Sequence, residues 1–106
     1  MKSELPQAVK EAMEKGTTVL ELTGDDDEHK LYFAKPGAKD IEKFIATATK
    51  GKAALAARNL VIEKAIFPTG EELAQQFKEN PGKMVAINSA LQASVGMNED
   101  FAVKKL

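Results

Sequence analysis

The 106-residue chain contains no cysteine and no tryptophan, one tyrosine, one histidine and four prolines. Without cysteine there are no disulfides, thiolate metal sites or thiol nucleophiles, which fits a reducing compartment. With His29 as the sole histidine, acid–base chemistry near neutral pH would fall to that residue, or to a carboxylate or lysine moved far from its ordinary pKa. Long apolar runs are missing too. The alanine-rich stretch Ala53–Phe67 is interrupted by Arg58, Asn59, Glu63 and Lys64, and no stretch reads as the ~20 apolar residues of a membrane span. Met1-Lys-Ser-Glu-Leu-Pro6 carries an early acid and no apolar core, unlike a secretory signal, so the expected location is the cytoplasm. The formal charge of −1 provides no long-range attraction to phosphate polymers or anionic lipid.

The composition, 43% hydrophobic and 29% charged, is that of a folded globular domain, and the length suits one core. Residues 1–16 predict an N-terminal helix: Ser3 is placed as its cap, Leu5, Ala8, Val9, Ala12 and Met13 share one face, and Gly16 stands past its end. Over residues 17–35 the period changes to two. Thr18, Leu20 and Leu22 alternate with Val19 and Glu21; then Leu31 and Phe33 alternate with Lys30 and Tyr32, predicting a β-hairpin whose tip is Asp25-Asp26-Asp27-Glu28.

Residues 38–96 return to helical spacing. Ile41, Phe44, Ile45 and Ala48 define a one-sided helix that ends near Gly51. Leu55, Leu60, Val61, Ile62, Ala65 and Ile66 instead surround the next helix, marking it as the central, buried one, with Pro68 as its stop. Thr69-Gly70-Glu71-Glu72 is a capping-box sequence for a fourth helix carrying Leu73 and Phe77. Asn80-Pro81 opens a fifth, whose stripe is Met84, Ile87, Leu91 and Val95 and whose stop is Gly96. Residues 97–106 form a tail containing Phe101 and Val103. The expectation is an α+β fold, mostly helical, with an N-terminal helix and β-hairpin followed by about four helices.

Chemistry-bearing patterns are sparse. The Asp25–Glu28 run beside His29 offers hard-metal ligands, but its consecutive acids and preceding Gly24 do not fit a calcium loop; charges at a hairpin tip also serve to discourage edge pairing. Ser3, Ser89 and Ser94 lie outside any nucleophile pattern, and the glycines are dispersed at element boundaries, so neither catalysis nor cofactor binding is indicated. Lys35, Lys39, Lys43, Lys50 and Lys52 form a basic stretch diluted by Asp40 and Glu42, with few aromatics for base stacking, which argues against nucleic acid. The stripes of the last two helices have two readings: internal packing, or an adaptable groove for a protein partner.

Several patterns occur in a family-like order: Leu31-Tyr32-Phe33-Ala34-Lys35-Pro36 closing a hairpin, Asp40-Ile41 opening a helix that reaches Phe44, Asn59-Leu60-Val61, Phe67-Pro68, Glu71-Glu72-Leu73, and Pro81-Gly82 before an amphipathic helix ending at Gly96. In this order, across about two-thirds of the chain, it resembles the small tail-assembly-chaperone-like proteins of tailed phages and prophages. The resemblance implies a cytosolic, non-catalytic factor that covers apolar segments of the tape-measure protein and helps tail-tube subunits assemble around it. The contact residues expected on that reading are Phe77, Met84, Ile87, Leu91 and Phe101. Alternatives are a structural head–tail joining or tail-completion protein, and a small regulatory domain contacting nucleic acid through Lys35–Lys52. A homo-oligomer, including one formed by exchange of the first helix, is compatible with all three.

Overall fold

The computed structural model describes residues 5–24, 30–97 and 101–106. The element order is α1 (Gln7–Glu14), β1 (Val19–Thr23), β2 (Lys30–Ala34), α2 (Ala38–Thr49), α3 (Ala53–Lys64), β3 (Ala65–Phe67), α4 (Gly70–Glu79) and α5 (Pro81–Ser94). The fold is α+β, with the N-terminal helix and hairpin where the sequence places them. The hairpin tip, and with it the acidic run and His29, lies outside the described residues, as does Ser3. Pro6, rather than Ser3, occupies the N-cap position of α1.

β1 and β2 pair antiparallel from Val19 opposite Ala34 to Thr23 opposite Lys30. A third strand extends the sheet: β3 pairs antiparallel with β2, Tyr32 opposite Phe67 and Phe33 opposite Ala65, with a bulge between. This strand corrects the expectation that the central helix runs on to Pro68. Ala65-Ile66-Phe67 is too short to show a period of two against a helix that is apolar all round, and pairing with β2 draws it out of the helix. β2 therefore becomes the middle strand.

Period-two geometry sends Leu20, Leu22, Leu31 and Phe33 to one face of the sheet. There Phe33 meets Val61 of α3, Leu73 and Phe77 of α4, and Ile87 and Leu91 of α5 in one buried cluster. Phe33, Val61, Leu73 and Leu91 have no exposure at all. α3 is the organising helix, touching α2, α4 and α5. Tyr32, on the opposite face, is also buried and lies outside this cluster, as does Val9 of α1, which rests against β1 and β3. The sheet is thus covered on both sides at its centre.

Local signals set the joints. Thr69 Oγ1 accepts from the Glu72 N–H at 3.2 Å and Glu72 Oε1 accepts from the Thr69 N–H at 2.9 Å, the capping box read from the sequence. Pro81 stands in the first turn of α5, where its missing N–H costs nothing. Gly51, at φ +84°, turns the chain between α2 and α3 through the left-handed region that other residues disfavour. Gly70 has another reason to be glycine: a Cβ there would lie 2.8 Å from Ile62 Cγ2 and 2.9 Å from the Ile62 carbonyl oxygen.

The two glycines that open α4 and α5 therefore respond oppositely to alanine. Gly70→Ala forces a methyl against the α3 backbone and is expected to lower stability by about 1–3 kcal/mol despite better helix propensity. Gly82→Ala meets nothing within 4 Å and should raise it by about 0.4–1 kcal/mol. Denaturant titration of both variants checks the contrast.

Candidate functional site

The five residues expected at a partner contact do not share one environment. Leu91 is fully buried, Ile87 is 4% exposed and Phe77 8% exposed, all three in the main core. Their stripe is used internally: Phe33 and Val61 already occupy the surface that a partner would need. This corrects the placement of Leu91 and most of Ile87 at a contact surface. Met84 is half-buried at the edge of the same cluster, and Phe101 is 82% exposed.

Among the described residues, accessible space is held in shallow grooves, of which three bear on the argument. The first, ≈ 220 Å³, lies where α3, α4 and α5 meet and is lined by Arg58, Ala74, Phe77, Lys78, Pro81 and Met84. It brings together two of the expected residues, with the exposed edge of Phe77 and Met84 forming an apolar floor under a basic rim. α4 and α5 are tied near this corner by the Lys83 ammonium, which donates to Gln76 Oε1. Neither Arg58 nor Lys78 has an ion-pair partner among the described residues. A second groove, ≈ 270 Å³, runs between the hairpin and α5 and is lined by Leu22, Leu31, Ala86, Ile87 and Ala90 beside Lys83. The third, ≈ 440 Å³, is formed by the start of α2 and the end of α5.

Apolar side chains also stand outside the grooves. Met13, Ile45, Leu55, Phe67 and Val85, each on a different element, are 44–58% exposed; exposed apolar side chains are ordinary on a protein surface. The C-terminal segment differs, because Phe101, Val103 and Leu106 are 82%, 96% and 107% exposed within six residues.

Several polar side chains among the described residues link neighbouring elements. Asp40, in the first turn of α2, accepts from the Gly37 N–H at 2.8 Å and from Lys64 at 3.1 Å, while Lys43 donates to Glu63 at 3.0 Å. These pairs stitch α2 to α3 and engage Lys43 from the basic stretch. The void beside them, lined by Asp40, Lys43, Asn59 and Glu63 among others, is ≈ 10 Å³, the size of one water and too small for a substrate. On the sheet, the Tyr32 hydroxyl donates to Glu21 at 3.1 Å; burial first, and then the bond and charge of Glu21, raises its pKa above the ordinary tyrosine value. Among the described residues, no group of three or more His, Cys, Asp or Glu side chains is placed to hold a metal ion. None of the described helices is long and apolar enough to cross a membrane.

A protein-family model described as Domain of unknown function (DUF6848) matches residues 8–104. The chain belongs to that family. The match runs from α1 into the C-terminal segment and so takes in all three grooves. Among solved structures, the chain is similar to the uncharacterised protein rbstp2171 from Bacillus stearothermophilus: 28% identity, a TM-score of 0.74, 91% of this chain and 99% of that chain covered. No curated protein matches it.

The Asp40 links give a pH dependence. The Gly37 N–H, followed by the bond and charge of Lys64 and the charge of Lys43, holds the Asp40 carboxyl below its ordinary value of 3.8, against the opposing effect of burial. A folded-state pKa below the unfolded one means stability that is fully present above the ordinary carboxylate range and lost as pH falls through the folded pKa. Asp40→Asn should therefore be less stable than the parent near neutrality, with the gap closing as pH falls from the ordinary carboxylate range through the lowered folded pKa. Thermal melts of both chains across that range measure it.

Proposed function

We propose that this domain is a non-catalytic assembly chaperone of the phage or prophage tail type, acting in the bacterial host cytoplasm by covering apolar segments of a tape-measure protein until tail-tube subunits assemble. The observation that carries the reading is the combination of a preformed apolar groove at Phe77 and Met84 with an unburied apolar segment at Phe101–Leu106. The resemblance in residue order names the client; the geometry supports protein contact as the mode.

The mechanism needs no bond chemistry. An apolar side chain seated against Met84 and the edge of Phe77 loses water from both partners, and each well-buried leucine or phenylalanine contributes about 1.5–3 kcal/mol before ordering costs. Methionine has an unbranched, polarizable side chain, so the floor can adapt to clients of different shape. Arg58 and Lys78 on the rim favour segments whose apolar residues are flanked by acids, by charge complementarity that aids encounter more than affinity. Weak contacts repeated along a long client add up through multivalency.

The test is co-expression with apolar fragments of a tape-measure protein that are insoluble alone. The parent chain should bring the fragment into the soluble fraction and elute with it. Met84→Asp, at a half-buried edge position, and Phe101→Ser, in the exposed segment, should each reduce recovery of the complex while the isolated domain retains its melting transition. A parent chain that neither binds the fragments nor alters their solubility contradicts the proposal.

A further inference from the structure

Three grooves and one exposed apolar segment raise the question of whether the segment has a seat on its own chain. Phe101-Ala102-Val103-Lys104-Lys105-Leu106 presents its aromatic and aliphatic side chains to water and carries two lysines just before Leu106. The charges around the grooves separate them. The α3–α4–α5 groove carries Arg58 and Lys78, which repel Lys104 and Lys105, and the hairpin–α5 groove offers them no carboxylate among its described lining residues. The groove between α2 and α5 is lined by Pro36, Ala38, Ile41, Val95 and Met97, and its one charged lining residue is Glu42. Among the described residues, neither Glu42 nor the two lysines has an ion-pair partner.

Covalent reach agrees with charge. Met97 lines the α2–α5 groove, and Phe101 is four residues further along the chain, so the two Cα atoms are at most about 14 Å apart in any conformation. Tethering at that range keeps the segment at high effective concentration beside this groove. At ≈ 440 Å³ the groove is the most spacious of the three.

We propose that Phe101–Leu106 docks in cis on the groove between the start of α2 and the end of α5, Phe101 against Ile41 and Val95, and Lys104 or Lys105 against Glu42. The structure shows the open arrangement. In the docked one the segment's apolar side chains are shielded until a competing surface draws them off, which limits self-association of the domain. This holds whether or not the domain is a chaperone, since no client enters the argument.

Methyl NMR of the full chain tests it. The Phe101 ring should displace the methyl signals of Ile41 and Val95 upfield, by the same amount at all protein concentrations. Phe101→Ser should abolish the displacement, and Glu42→Lys should reduce it; both positions are exposed and outside the core, so folding is retained. Methyl signals identical in the parent and Phe101→Ser overturn the proposal. A displacement that vanishes on dilution also overturns it, assigning the groove to the tail of a second copy.

Discussion

Phe33 sits on the middle strand of a three-stranded sheet, fully buried, and the helical layer converges on it through Val61, Leu73, Phe77, Ile87 and Leu91. The rest of the molecule depends on that contact. It fixes the register of β2, because a one-residue slip would turn Phe33 to the opposite face and bring Tyr32 into the core. It fixes α3, whose Val61 closes on the same ring and whose C-terminus must then leave the helix to pair with β2. It also consumes most of the apolar stripe on α4 and α5. What that stripe can still offer a partner is what Phe33 leaves uncovered: the edge of Phe77, Met84 and the side of Ile87 that faces the hairpin.

That constraint explains which parts were legible in the sequence. Elements with a strong period or a capping signature, the hairpin, α2 and the Thr69–Glu72 start of α4, stand where residue patterns place them. The third strand was not legible, since Ala65-Ile66-Phe67 continues an apolar helix without a break and owes its extended form to a partner strand distant in sequence. The second covered face of the sheet was hidden for a similar reason. Tyr32 alternates with Phe33 as a solvent-facing residue would, and its burial follows from tertiary packing on a side that the period of two does not describe.

The candidate site was half legible. Spacing identified the face of α5 and the Leu73–Phe77 pair of α4, but a helix stripe looks the same whether it is buried by its own chain or by another. Burial separates Leu91, which is wholly internal, from Met84, which is not. The basic rim of Arg58 and Lys78 was missed because its residues come from different helices and join only where α3 meets α4; no sequence window contains them as a cluster. The exposure of Phe101 was legible for the opposite reason, as a large aromatic in a charged segment without a period.

Membership of a family described only as a domain of unknown function leaves the surface itself as the guide to function, and among the described residues apolar grooves, rather than ionisable clusters, hold the space for a ligand. The most direct measurement of the central claim is amide hydrogen exchange of the domain with and without an apolar, acid-flanked tape-measure segment. The account predicts slowed exchange at the α4–α5 junction around Lys78–Met84 and in Phe101–Leu106, with the hairpin unchanged. Exchange unaltered at that junction by a segment that does bind, or protection confined to Lys35–Lys52, would contradict it.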